Sequence, residues 1–166
     1  MCAGCGGLGA LHEIYDVIGA NNVIVNAAGC MTMLATYPFT PFRGSWLFTS
    51  MASAPAGAQG VRDALDILIQ KKRIPESEDL SVLALAGDGS SYGMGLSATS
   101  AAIERGLDFL YICYDNEGYG NTGQQASDAT PRGARTATTP TGNLPRKKDL
   151  FAIWTAHRPA YAATVI

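Results

Sequence analysis

Strong charge and long apolar runs are both absent from this sequence. Only 16% of the 166 residues are charged, the formal net charge is −2, and no basic run exceeds Arg146-Lys147-Lys148. A nucleic-acid-binding surface needs a larger excess of basic residues, so nucleic acid is excluded as a partner. No apolar stretch approaches the roughly 20 residues that span a bilayer. The first residues also lack the basic and apolar segments of a signal peptide, so we expect a cytoplasmic protein without a membrane span.

Cysteine is scarce as well, with four residues in the chain. In the cytoplasm such cysteines are ligands, reactive thiols or buried apolar residues more often than disulfides. Cys2, Cys5 and Cys30 have the spacing C-x2-C-x24-C. The C-x-x-C pair alone is typical of a zinc site, a redox pair or a cluster, and the third cysteine argues against a simple dithiol. Cys113 lies in the apolar run LYICYDN and is expected in the core.

Glycine, in contrast, is abundant, and Gly4, Gly6 and Gly9 spell the dinucleotide fingerprint G-x-G-x-x-G. That loop needs a strand before its first glycine and an acidic residue about 20 positions later. The three preceding residues leave no room for a strand, and Asn26 stands where the acid is needed. We therefore interpret these glycines as part of an N-terminal segment, residues 1–33, whose backbone wraps closely around the cysteine sulfur atoms.

Apolar periodicity predicts an α/β fold, a mostly parallel sheet with helices on both faces. Residues 34–50 and 118–146 lack a period and are predicted to be mostly loop. The predicted helices cover residues 8–19, 56–73, 94–106 and 147–158, and the predicted strands cover 22–30, 81–89, 107–116 and 159–166.

One domain is expected over residues 1–166, with a cofactor core at 80–146. A chain of this length buries roughly two-thirds of the surface that its unfolded form exposes. The last predicted strand is apolar, and a buried parallel strand seldom ends a domain. We therefore expect a C-terminally truncated fragment whose fold continues beyond Ile166.

Two of the predicted strands end in polar, glycine-rich turns. The first is Gly87-Asp88-Gly89, followed by Ser90, and the second contains Asn116 and Gly118. A carboxylate, an amide oxygen and a backbone carbonyl suit Mg²⁺ that bridges to a diphosphate. A plain Asx turn at each strand end is the alternative. Twenty-six residues separate Gly89 from Asn116, which leaves room for one helix and one strand, so both turns are expected side by side.

This spacing resembles the thiamine diphosphate motif of thiamine-dependent enzymes. The longer run YDNEGYGNTGQQASDATPRGARTATTPTG, followed by KKDLFAIWTAHRPAYAAT, is similar to the β subunit of pyruvate synthase and its relatives, the 2-oxoacid:ferredoxin oxidoreductases. The similarity extends over almost the whole chain, and its pattern NTG-x-Q-x-S-x-ATP-x-GA is far more specific than GDG. It implies the thiamine diphosphate-binding fold.

The resemblance also implies a set of site residues. Asp88, Asn116 and the Gly118 carbonyl would bind Mg²⁺, while Gly87, Gly89 and Ser90 would line the diphosphate. Asn121 would be catalytic beside the thiazolium and the substrate. Tyr119 would lie in the cofactor loop near the substrate, and Met33 would press on the thiazolium.

A [4Fe–4S] cluster is implied as well, with Cys2, Cys5 and Cys30 as ligands. The fourth ligand would come from beyond this sequence; the alternatives are an incomplete site and zinc with an outside ligand. The implied partners are an α subunit that completes the thiamine site, γ and ferredoxin-like δ subunits, coenzyme A, and ferredoxin or NAD as the electron acceptor.

The resemblance implies oxidative decarboxylation of a 2-oxoacid to acyl-CoA and CO2 in anaerobic metabolism, with thiamine diphosphate as the electron sink. The stretch LFTSMASAPAGAQGV departs from the Glu-Asn-Ala-rich composition of pyruvate synthases. Pyruvate, phenylglyoxylate, oxalate and branched oxoacids therefore stay open as substrates. The alternatives are a non-redox thiamine diphosphate decarboxylase or synthase, and a nucleotide-binding or electron-transfer module without its own catalysis.

Overall fold

The computed structural model describes residues 2–38 and 40–165. Four parallel strands form one sheet in the order β2-β1-β3-β4: β1 (Asn22–Ala27), β2 (Ser45–Thr49), β3 (Ser81–Gly87) and β4 (Leu110–Tyr114). The α-helices are α1 (Gly6–Ile18), α2 (Ala54–Gln70), α3 (Leu96–Glu104) and α4 (Leu150–Thr155). None of the helices in the described ranges is long and apolar enough to cross a membrane.

The two faces of the sheet bury different side chains. On one face, Val25 and Ala84 pack with Ala58 of α2. A side chain at Gly57 would come within 2.9 Å of the Val25 side chain, so α2 packs closely on the side chains of β1. On the other face, larger residues such as Leu83 pack against Leu11 of α1. The prediction of a parallel sheet with helices on both faces is confirmed.

Two sequence predictions of local structure are wrong. Residues 34–50 contain β2, an edge strand whose residues are exposed or half-buried, so it carries no continuous apolar run that would reveal it. Residues 159–165 form no strand with any described residue, and Tyr161 and Val165 are 82% and 91% exposed. An apolar segment becomes a strand only where a neighbouring backbone pairs with it.

The last helix is shorter than predicted at both ends. It begins after Asp149 because the Asp149 carboxylate accepts a hydrogen bond from the Ala152 backbone N–H at 2.8 Å. Such an N-cap satisfies a donor that the helix itself leaves unpaired. Lys147 and Lys148 therefore precede the helix, and both reach carboxylates elsewhere in the chain.

The strand order determines where a ligand can bind. The strand β2 pairs with one edge of β1, and the next strand in sequence, β3, pairs with the opposite edge of β1. Such a reversal leaves a crevice at the carboxyl ends of the two central strands, where open parallel sheets bind ligands. A 3-10 helix (Cys30–Ala35) begins shortly after β1, and a π-helical turn (Gly89–Met94) begins shortly after β3.

Candidate functional site

A pocket opens in this crevice, beyond the carboxyl ends of the sheet. The predicted cofactor-binding residues that line it are Gly87, Asp88, Gly89, Ser90, Asn116, Gly118, Tyr119 and Asn121. The strand register accounts for the assembly, because Gly87 of β3 pairs with Tyr114 of β4 and both turns leave the sheet together. The expectation that the two turns lie side by side is confirmed.

Three oxygen-bearing groups converge at the base of the pocket. The side-chain amide of Asn116 lies 2.8 Å from Asp88 Oδ1 and 2.8 Å from the Gly118 carbonyl oxygen. With its nitrogen turned towards them, the amide donates hydrogen bonds to both oxygens. With its oxygen turned towards them, the Asn116 side-chain oxygen lies 2.8 Å from each of the other two oxygens. Octahedral Mg²⁺ with ligands at about 2.0–2.1 Å places neighbouring oxygens about 2.9 Å apart, so this donor set fits the ion.

Among the described residues, no basic side chain forms an ion pair with the Asp88 carboxylate. It is 2% exposed, and this burial raises its pKa, with a smaller contribution from the nearby negative charge of Asp115. A hydrogen bond from Ser127 acts in the opposite direction. Burial of a carboxylate disfavours its charged form, and a bound cation would offset that cost.

The turn after β4 is held in a conformation that brings the Gly118 carbonyl close to the Asn116 side chain. Asp115 Oδ1 accepts a hydrogen bond from the Glu117 N–H at 3.0 Å, and Glu117 has a φ of 62°. Non-glycine residues adopt this left-handed region infrequently, and a local side-chain hydrogen bond favours it. The turn thereby places the Gly118 carbonyl against the Asn116 amide.

The second oxygen of Asp115 connects this turn to the rest of the domain. Asp115 Oδ2 accepts a hydrogen bond from the Tyr92 hydroxyl at 2.6 Å and lies 2.7 Å from Lys147 Nζ. Tyr92 belongs to the π-helical turn after β3, and Lys147 precedes α4. The two loops of the site therefore share a hydrogen-bonded carboxylate.

Neighbouring aromatic rings leave little room for a side chain at the two glycines that are predicted to line a diphosphate. A Cβ at Gly89 would overlap the ring of Tyr119, and one at Gly87 would lie 3.1 Å from the ring of Tyr114. Ser90 donates its hydroxyl hydrogen to the Met51 carbonyl. The chain after β3 is a π-helical turn, a form common at functional sites.

Sequence reasoning missed several residues of the pocket wall, among them Tyr114 and Met51. Tyr114 contributes a hydroxyl that is buried and has no hydrogen-bond partner among the described residues. An unpaired buried hydroxyl in a pocket wall is suited to donate a hydrogen bond to a ligand. Consecutive residues of a strand point to opposite faces of the sheet, so Tyr114 points away from the face of Cys113. This alternation was the sequence signal that could have identified Tyr114. Met51 lies just beyond β2 and lines the pocket. Because β2 was not predicted, Met51 could not be placed at the carboxyl end of a strand.

The predicted cluster ligands are not assembled in the described part of the chain. No group of three or more Cys, His, Asp or Glu side chains there is placed to hold a metal ion. Cys30 lines the pocket, with its Sγ 3.8 Å from the Asn116 amide. Cys5 lies near Gly7, and Cys2 is exposed. Burial raises the pKa of Cys113 to about 12, as expected for a core thiol.

Met33 and Asn121 occupy different positions relative to the pocket. Met33 lies on the 3-10 helix with 58% of its surface exposed and does not line the pocket as described. Asn121 lies on the loop that follows Gly118 and contributes to the rim. The roles assigned to both residues stay predictions.

Comparison with known proteins agrees with this site. Residues 27–165 match the family described as thiamine pyrophosphate enzyme, C-terminal TPP binding domain. The chain is 41% identical to pyruvate synthase subunit PorB of Methanocaldococcus jannaschii, over 98% of this chain and 57% of the relative. It is 37% identical to ketoisovalerate oxidoreductase subunit VorB of Pyrococcus horikoshii, over 98% and 54%. The chain thus spans about half the length of the curated relatives it matches.

One solved structure shows the same fold. A chain of the 2-oxoglutarate:ferredoxin oxidoreductase from Magnetococcus marinus aligns with a TM-score of 0.76 at 21% identity, over 95% of this chain and 50% of that one. That enzyme was solved with 2-oxoglutarate, coenzyme A and succinyl-CoA bound. The prediction of a thiamine diphosphate-binding fold is confirmed. This chain belongs to the thiamine pyrophosphate enzymes, and within them it is similar to the PorB subunits of pyruvate synthase and the VorB subunits of ketoisovalerate oxidoreductase.

Proposed function

We propose that this chain forms the thiamine diphosphate and Mg²⁺ half-site of a coenzyme A-dependent 2-oxoacid oxidoreductase. The observation that carries the proposal is the convergence of Asp88 Oδ1, the Asn116 amide and the Gly118 carbonyl at the crevice between β1 and β3. These groups supply one charged and two neutral oxygen ligands, which leaves the remaining octahedral positions for phosphate oxygens and water.

The surrounding residues hold and shield the bound group. Gly87 and Gly89 keep the floor of the pocket free of side chains, and Tyr114 offers its unpaired hydroxyl as a hydrogen-bond donor. Asn121 and Tyr119 both line the pocket, which supports the expectation that they lie near the substrate. Thiamine diphosphate, when bound, supplies the electron sink that decarboxylation of a 2-oxoacid requires.

The proposed reaction converts a 2-oxoacid and coenzyme A to acyl-CoA and CO2. The names of the relatives favour pyruvate or the branched 2-oxoisovalerate over aryl glyoxylates. An α subunit is expected to complete the cofactor site, and γ and ferredoxin-like δ subunits are expected to carry electrons to ferredoxin or NAD. Because the chain covers about half of each relative, these partners belong to the proposal for the whole protein.

A substrate screen of the purified complex tests the reaction. We expect 2-oxoacid-dependent reduction of a viologen dye that requires both thiamine diphosphate and coenzyme A, with the highest rate on pyruvate or 2-oxoisovalerate. Release of CO2 without dye reduction would favour the non-redox decarboxylase. Absence of thiamine diphosphate binding in calorimetry would favour the electron-transfer module.

We further propose that Cys2, Cys5 and Cys30 contribute three ligands to a [4Fe–4S] cluster. Their spacing supports this, as does the position of Cys30 in the pocket. A side chain at Gly7 would lie 3.0 Å from Met31 and 3.8 Å from Cys5, so the segments with Cys5 and Cys30 are neighbours. The fourth ligand is expected from outside the 166 residues.

Cys30→Ser is expected to lower the iron content of the complex by about four atoms per copy of this chain, because a [4Fe–4S] cluster depends on its cysteine ligands. Iron and zinc are measured by mass spectrometry on the assembled complex. Cys113→Ser is the control and is expected to retain full iron, since Cys113 packs in the core with Tyr92 and Leu150. Zinc loss from Cys30→Ser with unchanged iron would identify the site as a zinc site.

A further inference from the structure

A short segment outside both proposed metal-binding turns contacts each of them from behind. Ser127 donates its hydroxyl hydrogen to Asp88 Oδ2. Thr130 donates its hydroxyl hydrogen to the Glu117 carbonyl oxygen at 2.6 Å. Both side chains are buried, at 9% and 1% exposure. Ser127–Thr130 is therefore a bridge between the turn after β3 and the turn after β4, and we refer to it as the bridging segment.

Ser127 determines which oxygen of Asp88 faces the pocket. Its hydroxyl occupies Oδ2, and the free Oδ1 lies 2.8 Å from the Asn116 amide. Ser127 Oγ also accepts the Ala129 backbone N–H at 3.1 Å, which directs the hydroxyl hydrogen towards Asp88. A carboxylate held this way presents one oxygen to a cation without losing rotational freedom on binding, as hydrogen-bonded metal ligands do.

Thr130 acts on the peptide that precedes the third ligand. Its hydroxyl binds the carbonyl of Glu117, the residue with left-handed φ, and the next carbonyl in the chain is that of Gly118. Removal of this hydrogen bond would leave the Glu117 carbonyl with one partner fewer. The peptide plane could then rotate, and the Gly118 oxygen would move with it.

The bridging segment is itself held by the surrounding chain. Inside it, the Ser127 N–H donates to Thr130 Oγ1 at 2.9 Å. Outside it, Asn143, which is 6% exposed, donates its amide hydrogen to the Thr130 carbonyl at 2.9 Å. Asp128 forms an ion pair with Lys148 at 2.8 Å. These contacts make the segment a fixed reference for both turns.

We propose that Ser127 and Thr130 are positioning residues that set the separation of the two metal-binding turns and thereby the affinity for the divalent cation and the diphosphate it bridges. The inference rests on the proposed function of the site. Loss of a residue that orients a metal ligand typically costs 10–100-fold in metal affinity. An effect of this size is expected from either hydroxyl.

The test uses the full-length subunit assembled in its complex, with Mn²⁺ as the probe. Ser127→Ala and Thr130→Val are expected to raise the Kd of Mn²⁺, measured by electron paramagnetic resonance with thiamine diphosphate present, by about 10–100-fold. Thr130→Ser retains the hydroxyl and is expected to stay within about threefold of wild type. Thiamine diphosphate affinity, measured by calorimetry, is expected to fall in parallel.

Thr99→Val is the matched control. Thr99 is as buried as Thr130, and its hydroxyl donates to a backbone carbonyl, that of Gly95, at 2.9 Å. The Thr99 hydroxyl hydrogen-bonds to Gly95 and Tyr111, and among the described residues it forms no hydrogen bond with the turns that contain Asp88 or Asn116, so Mn²⁺ affinity is expected to be unchanged. This control separates loss of any buried hydroxyl from loss of one that holds the site.

The possible outcomes separate this inference from the proposed function. If wild type binds Mn²⁺ with thiamine diphosphate and both hydroxyl variants bind it equally well, the inference is wrong and the proposed site stands. A lower thermal midpoint with unchanged Mn²⁺ affinity would show a purely structural role and also overturn it. If wild type itself binds no Mn²⁺, the proposed function fails first. If Thr130→Val does not assemble into the complex, the Mn²⁺ affinity of Ser127→Ala decides, with Ser127→Thr as the variant expected to restore it.

Discussion

Asp88→Asn is expected to abolish metal-dependent thiamine diphosphate binding while leaving the metal-free protein at least as stable as wild type. The substitution keeps the shape of the side chain and removes the charged ligand of the proposed site. We expect the Kd for the metal and cofactor to rise by more than about 100-fold, beyond the 10–100-fold cost of losing an orienting partner.

The expected stability effect has the opposite sign. Burial raises the pKa of Asp88 in the folded chain, so the folded metal-free state binds a proton more tightly than the unfolded state does. Its contribution to stability therefore decreases as the pH rises from the unfolded pKa through the folded one. Above the folded pKa the ionised carboxylate is unfavourable, and a neutral amide removes that cost. A site that sacrifices stability for binding behaves in this way.

Calorimetry and thermal unfolding measure the two effects on the same preparations. Asp66→Asn is the control: Asp66 has a side chain 57% exposed on α2, and its ion pair with Arg62 is remote from the pocket in the fold. Its cofactor binding is expected to match wild type. Normal binding by Asp88→Asn would contradict the site assignment. A lower thermal midpoint would show that the Asp88 charge stabilises the fold.

The proposed metal-binding residues were accessible to sequence reasoning because they follow strand geometry. Continuous apolar runs revealed β3 and β4, and neighbouring parallel strands end at the same edge of a sheet. The pairing of Gly87 with Tyr114 then places Asp88 and Asn116 beside each other. No contact outside these two turns was needed to predict their proximity.

The partners that hold these residues could not be predicted in the same way. Ser127 reaches Asp88 across 39 positions of sequence, from an irregular segment without a hydrophobic period. Met51 lines the pocket because β2 lies beside β1, and β2 itself was missed because an edge strand buries little surface. Met33 was chosen for its closeness to Cys30 in sequence, which does not fix the direction of its side chain. Such contacts depend on how loops pack, and local patterns do not encode that.

Gly89→Ala is expected to impair cofactor binding through Tyr119. The added methyl group would overlap the Tyr119 ring. The backbone of Tyr119 cannot retreat, because its N–H donates to the Gln125 carbonyl at 2.9 Å and its carbonyl accepts the Gln124 N–H at 3.0 Å. The clash is therefore expected to be relieved by rotation of the Tyr119 side chain into the adjacent pocket. Overpacking typically costs about 1–3 kcal/mol, which corresponds to a loss of roughly 5–150-fold in thiamine diphosphate affinity.

A double variant identifies the ring as the cause. Gly89→Ala combined with Tyr119→Ala is expected to bind thiamine diphosphate as well as Tyr119→Ala alone, because the methyl group then has nothing to displace. The difference between the single and double variants gives the coupling between the two residues. Gly60→Ala in α2, where no neighbouring atom lies within 4 Å, is the control. It is expected to leave binding unchanged and to stabilise the helix by about 0.5–1 kcal/mol. If the double variant binds no better than Gly89→Ala, the glycine is required by the ligand or the backbone, and the steric role of Tyr119 is wrong.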